Sequence, residues 1–191
     1  MLFYIAGFLI MKTLLIHKMN FRRNYITESD NMNAWLHCRD SISDRLNKKG
    51  KYKVEVLSAK RTNFLFSERN QYSSYRKQAL YLREVLISIN EKPVIYARTL
   101  MPKKYLRGFW GNIRKLQEKP LANIVFEDKS IKRSNFYFFI PSKVNALFKT
   151  INALSAKNLA IVAVRQSSFS KRKQKVLLTE VFFDNFYNVG F

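Results

Sequence analysis

The stretch ALYLREVLISINEKPVIYARTL, residues 79–100, decides the fold. Residues 79–89 and 93–100 are rich in aliphatic, β-branched and aromatic side chains, which is typical of strands. Asn90-Glu91-Lys92 between them has the composition of a turn. Because so short a connection joins strands that pair antiparallel, the stretch predicts a β-hairpin.

A second hairpin is predicted near the end of the sequence. Residues 160–169 and 175–183 are again strand-like, and the basic segment Ser170 to Gln174 separates them. Elsewhere, Ser29-Asp30 is predicted to cap one helix and Asp40 or Ser41 a second. Further elements are predicted as a strand over 51–60, a helix over 104–117, a strand over 131–140 and an amphipathic helix after Pro141. Strand pairs separated by helices indicate an α+β fold with a mostly antiparallel sheet.

Each hairpin carries a charge where only apolar groups are expected. The two-residue period of a strand places Arg83 on a face with Val85, and it places Glu180 on a face with Leu178. An unpaired ion in such surroundings would cost several kcal/mol, so each charge is expected to pair with the other or with a ligand of matching polarity. A purely structural Arg83–Glu180 pair and a misjudged edge strand are the alternatives.

The composition is strongly basic. The chain has 191 residues, enough for one domain with a substantial core. Its 35 Lys and Arg against 13 Asp and Glu give a formal net charge of +22, and no acid lies between Asp128 and Glu180. Such a field favours anionic partners: nucleic acid, a membrane surface or a small polyanionic metabolite. We expect no specific nucleic-acid binding, because solvated lysine faces account for most such surpluses.

Cysteine and histidine are scarce. Cys38 is the one cysteine and cannot form an internal disulfide, which fits a reducing, cytoplasmic location. With only His17 and His37 beside it, no cluster of soft metal ligands is predicted. The sequence also contains no phosphate-loop, dinucleotide-binding, serine-hydrolase or zinc-protease motif.

The first residues are apolar. Residues 1–16 read MLFYIAGFLIMKTLLI, interrupted by Lys12 and Thr13. This is shorter than the roughly 20 residues of a membrane helix, and no basic segment precedes it as in a signal peptide. We interpret residues 1–20 as a hydrophobic extension or an over-called start and residues 21–191 as the folded domain. A membrane anchor is the alternative, although no stable membrane insertion is expected.

Several short motifs follow one another over most of residues 34–184. They are Ala34-Trp35-Leu36, Asp40-Ser41-Ile42, Tyr81 to Leu86, Ala97 to Pro102, Leu106-Arg107-Gly108, Pro120-Leu121 and Leu177 to Phe182. In order and spacing this set resembles the chorismate lyase (chorismate pyruvate-lyase) family.

The resemblance implies a single α+β domain with a mostly antiparallel sheet whose helices cover an internal ligand pocket. It implies an enzyme that eliminates pyruvate from chorismate to give 4-hydroxybenzoate for ubiquinone biosynthesis, without a metal or organic cofactor. Chorismate would be the partner of the protein, which we expect to be a monomer.

The resemblance also implies the site residues. Arg83 would hold the ring carboxylate, and Glu180 would face the hydroxyl at the opposite end of the ring; we expect these two to be catalytic. Main-chain groups of Ile42 and Leu121 would complete the substrate site, and Arg165 would be a weaker anion contact. Apolar surroundings should raise the pKa of Glu180, which would act as a hydrogen-bond partner or as a proton relay.

The sequence departs from the family at two glycines and in one segment. The family usually has glycine where this chain has Gln117 and Ala122, and Ala122 is expected to narrow the pocket or to shift the backbone of Leu121. Residues 142–157 form a longer segment than expected, which is predicted to add a helix over the pocket.

Two other functions remain open. Effector domains of some transcription regulators share this fold and only bind a ligand, but they carry a separate DNA-binding domain, for which we expect no room in the thirty-odd residues ahead of Trp35. A binder of nucleic acid or anionic membranes would instead show an affinity that collapses with salt and survives Arg83→Ala.

Overall fold

The computed structural model describes residues 29–62, 78–139, 146–154 and 159–189. The predicted extension over residues 1–20 lies outside these ranges. Within them, no helix is both long enough and apolar enough to cross a membrane.

In the described part of the chain, seven strands form one antiparallel sheet. They are β1 (Tyr52–Thr62), β2 (Leu80–Ile89), β3 (Lys92–Pro102), β4 (Lys132–Arg133), β5 (Tyr137–Phe139), β6 (Ile161–Lys171) and β7 (Gln174–Phe183). Their order across the sheet is β1-β2-β3-β7-β6-β4, and β5 also pairs with β6. The prediction of a single α+β domain with a mostly antiparallel sheet is confirmed.

Both predicted hairpins are present, and two-residue turns close them. Asn90 and Glu91 have φ of 48° and 68°, and Arg172 and Lys173 have φ of 47° and 63°. Positive φ at both turn positions matches the twist of the flanking strands. The second turn is tighter than the segment 170–174 that the sequence suggested.

Four helices lie in the described ranges: α1 (Asp30–Leu36), α2 (Ile42–Asn47), α3 (Ala122–Val125) and α4 (Ala146–Leu154). The hydroxyl of Ser29 accepts from the Met32 N–H at 3.3 Å, which confirms the first predicted cap. The hydroxyl of Ser41, rather than the carboxylate of Asp40, accepts from the Asp44 N–H at 3.1 Å and caps α2. Both helices therefore begin where a side chain replaces a missing backbone acceptor.

The predicted helix over 104–117 is wrong. Two 3-10 segments, Lys103–Arg107 and Phe109–Lys115, occupy this region, and the extended backbone of Gly108 separates them. A 3-10 helix has three residues per turn, so it too brings Trp110 and Ile113 onto one buried side. The apolar spacing alone did not distinguish the two kinds of helix.

The predicted strand over 131–140 is broken into β4 and β5. Between them, the hydroxyl of Ser134 accepts from the Ser168 N–H at 2.9 Å. In a continuous strand, a backbone carbonyl would accept this hydrogen bond instead. The short pieces leave Arg133 at the edge of the sheet, beside β6.

The sheet has two covered faces. One face, here called the pocket face, carries Arg83 and Glu180 and packs against the main core, which includes Trp35 and Phe182. The helix predicted within residues 142–157 does not cover this face. As α4 it packs Leu147 and Ile151 with Tyr96, Val164 and Val181, which point to the opposite face.

Candidate active site

A pocket lies on the pocket face, over the middle of the sheet. Its space between protein atoms is about 530 Å³, including the part open to solvent. Apolar side chains form much of its wall, among them Val54, Val85, Ile87, Ala97, Phe169 and Leu178. Arg83 and Glu180 line the same pocket, and they are only 4% and 7% exposed. The pocket thus has apolar walls and contains buried charges of both signs.

Strand register explains why these two charges meet the same pocket. Thr99 on β3 pairs with Arg83 on β2, and Ala97 on β3 pairs with Glu180 on β7. Residues directly opposite each other in a sheet point to the same face, and Ala97 and Thr99 are two positions apart. Arg83 and Glu180 therefore project from one face, with β3 between their strands.

Arg83 is anchored through one of its terminal nitrogens. Its Nη2 donates to the carbonyl oxygens of Gln117 and Lys119, both at 2.8 Å. No hydrogen bond to a described residue involves its Nε or Nη1. Burial lowers the pKa of Arg83 below its ordinary value, against smaller opposing effects of Tyr81 and Tyr52. Since arginine is protonated throughout the accessible pH range, the pocket retains a positive charge with N–H groups available to a ligand.

Glu180 is paired with two arginines, Arg165 and Arg133, and not with Arg83. Its carboxylate accepts from Nε and Nη2 of Arg165 at 2.7 and 3.0 Å, and Nη2 of Arg133 lies 3.4 Å away. Among the described residues Glu180 makes no ion pair with Arg83, so the alternative of a purely structural Arg83–Glu180 pair is wrong. Each charged side chain is held by its own hydrogen-bond partners, and both side chains line the pocket.

The expected rise in the pKa of Glu180 is also wrong. Burial by itself would raise this pKa, but the charges of Arg165 and Arg133 and the hydrogen bonds from Arg165 together lower it below the ordinary value. The carboxylate is therefore ionised at neutral pH. The sequence showed that apolar residues flank Glu180 in its strand. It did not show that the side chains of Arg165 and Arg133 contact its carboxylate.

Arg165 is more than a weak anion contact. It is 1% exposed, and besides Glu180 it bonds to the end of α1: its Nη1 donates to the carbonyls of Trp35, Leu36 and Cys38 at 3.0–3.2 Å. Trp35 and Leu36 are the last residues of α1 and Cys38 lies just beyond it, where carbonyls lack the regular hydrogen bond to an N–H four residues further on. Arg165 thus fixes the position of Glu180 and ties α1 to the sheet. Its pairing with Glu180 depends on the two-residue turn of the second hairpin, which sets the register.

Arg133 is a site residue that the sequence analysis missed. It lines the pocket, and its guanidinium lies over the rings of Phe136 and Phe169, 4.5 and 4.9 Å from their centroids. Burial lowers the pKa of Arg133 to about 10 in spite of the nearby charge of Glu180. The only sequence signal was an arginine in an alternating segment, 131–140, near the start of the acid-free stretch.

Ile42 and Leu121 both lie on the pocket wall. The carbonyl of Leu121 accepts from the N–H groups of Ile124 and Val125, at 2.9 and 3.2 Å. Ile42 is the first residue of α2, where a backbone N–H has no partner inside the helix. The Ile42 N–H is thus a possible main-chain donor to a ligand. Ala122, at the start of α3, lies on the same wall.

Comparison with known proteins gives the family. The profile of the chorismate lyase family matches residues 21–189. The chain belongs to the chorismate lyase family. Its similarity to the probable chorismate pyruvate-lyase of Albidiferax ferrireducens is 28% identity over 159 residues, covering 80% of this chain and 81% of that protein. For the probable chorismate pyruvate-lyase of Nitrosomonas eutropha it is 27% over 154 residues, covering 80% and 86%.

The fold of this chorismate lyase family member also occurs in proteins that have little sequence similarity to it. The effector domain of PhnF from Mycobacterium smegmatis matches with a TM-score of 0.50 over 76% of this chain and 90% of that domain, at 8% identity. At such low identity the likeness concerns the fold alone. The family match makes the protein a lyase.

Proposed function

We propose that this protein is a chorismate pyruvate-lyase, which converts chorismate to 4-hydroxybenzoate and pyruvate and supplies ubiquinone biosynthesis. The observation that carries the proposal is the pocket that Arg83 and Glu180 share without bonding to each other. The pocket has apolar walls, a buried cation and a buried anion. It is therefore complementary to an aromatic ring that has a carboxylate at one end, for the cation, and a hydroxyl at the other, for the anion. The names of the relatives agree with this substrate.

Arg83 is the proposed receptor of the ring carboxylate. Its Nη2 is committed to the 117–119 backbone, and its Nε and Nη1, which point to different sides of the guanidinium, retain N–H groups that can donate a charge-assisted hydrogen bond to a carboxylate. The backbone bonds hold the guanidinium plane in place before the substrate arrives, which lowers the entropic cost of binding. The N–H groups of Leu121 and Ile42 are proposed as further contacts.

Glu180 is the proposed partner of the ring hydroxyl. Its Oε2 already accepts from both arginines, whereas its Oε1 accepts one bond, from Arg165. A carboxylate oxygen has two lone pairs, so Oε1 retains a place for the hydroxyl proton. Because its lowered pKa makes it a weak base, we assign Glu180 as a hydrogen-bond acceptor and not as the base that removes the ring proton.

The reaction places modest demands on these groups. The ether C–O bond of the enolpyruvyl group breaks, the neighbouring ring carbon that bears the hydroxyl loses its proton, and the released enolpyruvate takes up a proton to become pyruvate. The ring becomes aromatic, which makes the overall change strongly favourable. The protein mainly has to hold the ring in a reactive orientation and to stabilise the negative charge of the leaving group.

Incubation of the purified protein with chorismate tests the proposal. We expect equal amounts of 4-hydroxybenzoate, followed by chromatography, and of pyruvate, followed with lactate dehydrogenase. Arg83→Gln should lower kcat/KM at least about 100-fold, because a buried charge-assisted pair is lost. Arg61→Gln is the matched control: it removes an exposed arginine from the neighbouring strand β1 and should leave turnover unchanged.

Failure of the wild-type protein to form either product would overturn the proposal. If it still bound 4-hydroxybenzoate in a manner dependent on Arg83, the pocket would be a non-catalytic receptor for aromatic carboxylates. The shared fold of an effector domain is the observation that makes this second function worth testing.

A further inference from the structure

Arg133 holds a charge that the residues around it only partly compensate. Its side chain is 8% exposed, and its pairing with Glu180 at 3.4 Å is the one ion pair it forms among the described residues. Glu180, however, is already bound by Arg165 through two bonds. Asp40 also lines the pocket, but it is exposed and forms no ion pair with a described residue. At this end of the pocket two arginines with buried side chains thus share one buried carboxylate as their ion-pair partner.

Arg133 is held in place mainly by neutral groups. Its Nε donates to the hydroxyl of Ser167 at 3.1 Å and its Nη1 to the carbonyl of Arg39 at 3.1 Å. Phe136 and Phe169 support the plane of the guanidinium. A guanidinium has five N–H groups, and the bonds to described residues engage each nitrogen once, so N–H groups remain on both terminal nitrogens. The arginine is thus oriented, buried and able to bind a further anion.

Arg165 does not have this capacity to the same extent. Its Nη1 serves three carbonyls at the end of α1, and its Nε and Nη2 both serve Glu180. Of the two arginines beside Glu180, Arg133 is therefore the one that has more N–H groups available for a ligand.

We propose that Arg133 binds the second carboxylate of the substrate, the one on the enolpyruvyl group. This inference rests on the proposed function. With the ring carboxylate at Arg83 and the ring hydroxyl at Glu180, the enolpyruvyl ether leaves the ring carbon next to the hydroxyl, beside Arg133. The same guanidinium then faces the leaving group, whose negative charge grows as the C–O bond breaks, so Arg133 contributes to binding and to cleavage.

A pair of ligands that cannot react tests this assignment. One is 3-(carboxymethoxy)-4-hydroxybenzoate, which carries an ether-linked carboxylate next to the hydroxyl; the other is 3-methoxy-4-hydroxybenzoate, which has the ether but not the charge. Calorimetry should show that the wild-type protein binds the dicarboxylate at least about 10-fold more tightly, the effect of one charge-assisted hydrogen bond. Arg133→Gln should bring the ratio of the two affinities to about one, and Arg133→Lys should keep part of the preference.

Lys132→Gln is the matched control. It removes one positive charge from the adjacent position of β4, but the side chain of Lys132 is exposed, so the ratio should remain that of the wild type. A merely structural role of Arg133 would change both affinities together and would leave the ratio alone.

Two outcomes separate this inference from the function on which it rests. A wild-type protein that turns over chorismate but prefers neither ligand overturns the assignment of Arg133 alone, and this result does not depend on whether Arg133→Gln folds. A wild-type protein that neither turns over chorismate nor binds 4-hydroxybenzoate overturns the proposed function and the assignment with it.

Discussion

Under the proposed function, Glu180 is the residue whose ionisation state should bear most directly on turnover. Burial would raise its pKa, but the arginines beside it lower the pKa below 4.5. We therefore expect kcat/KM to stay level as pH falls from about 8 to about 5, with an acid limb only below the ordinary glutamate range. A pH profile with a limb near about 6 to 7 that disappears in Glu180→Gln would contradict this ionisation state.

The same carboxylate makes stability depend on pH in a defined direction. Its pKa is lower in the folded state than in the unfolded chain, so the ion pair contributes its full stabilisation above 4.5 and loses it as pH falls through the folded-state pKa. Urea unfolding at a series of pH values should show a steeper loss of stability below about pH 4.5 for the wild type than for Glu180→Gln. Equal slopes would contradict the assignment.

Arg165 should be far more important for stability than an exposed arginine. Arg165→Met leaves Glu180 with one weaker partner and removes the donor to the end of α1. Breaking a buried pair from one side typically costs about 3–5 kcal/mol, and we expect the free energy of unfolding to fall by that amount. The exposed Arg61→Met should change it by less than about 0.5 kcal/mol.

A double variant separates the ion pair from the packing. Arg165→Met with Glu180→Leu removes both charges, and urea unfolding should show that it recovers part of the loss. A loss of less than about 1 kcal/mol in Arg165→Met alone would show that the pair does not carry the stability assigned to it.

At the scale of elements, the loop before α3 links a departure from the family to backbone strain. Gln117 has φ of 47°, in the left-handed region that glycine adopts without cost, and it is one of the two positions where the resemblance implies glycine. Its carbonyl accepts from Arg83, so the strained residue also orients the site. The strained conformation is therefore accompanied by a hydrogen bond from the side chain of Arg83.

Gln117→Gly should relieve that strain. The left-handed conformation costs a non-glycine residue about 1–2 kcal/mol, and the extra freedom of glycine in the unfolded chain offsets part of this gain. We expect the free energy of unfolding to rise by about 0.5–1 kcal/mol, measured by urea unfolding. Glu118→Gly, one position along the same loop, lacks positive φ and should be neutral or destabilising. A destabilised Gln117→Gly would contradict the interpretation.

The elements that the sequence predicted well are those with local signals. The hairpins followed from strand composition around short turns, and Ser29 and Ser41 are caps that precede apolar spacing. The 3-10 segments around Gly108 were missed because their apolar spacing resembles that of an α-helix. The placement of α4 could not be predicted, since an amphipathic stripe does not reveal which face of a sheet it covers.

The candidate site was predictable only where its residues have a local signal in the sequence. Arg83 and Glu180 were recognised as charges in apolar strands, and their common face follows from pairing through β3. Arg165 was undervalued because its pairing depends on one position of hairpin register. Arg133 comes from a two-residue strand at the edge of the sheet, and only tertiary structure brings it to the pocket.

At the scale of the whole molecule, the net charge of +22 should assist capture of a dianionic substrate. Long-range attraction between exposed charges is screened beyond a Debye length, which is about 10 Å at 0.1 M salt. We therefore expect kcat/KM for chorismate to fall as sodium chloride rises from about 0.02 to 0.5 M, while kcat at saturating chorismate changes little. A kcat/KM that is independent of salt would show that the surplus charge does not steer the substrate.

Arg83 and Glu180 are proposed to hold the two ends of one aromatic ligand, and a crystal structure with bound 4-hydroxybenzoate would show where each end of the ring lies. We predict the ligand carboxylate within about 3 Å of Nε or Nη1 of Arg83 and its hydroxyl at a similar distance from Oε1 of Glu180. A ligand bound outside this pocket, or with its carboxylate at the Glu180 end, would contradict the account.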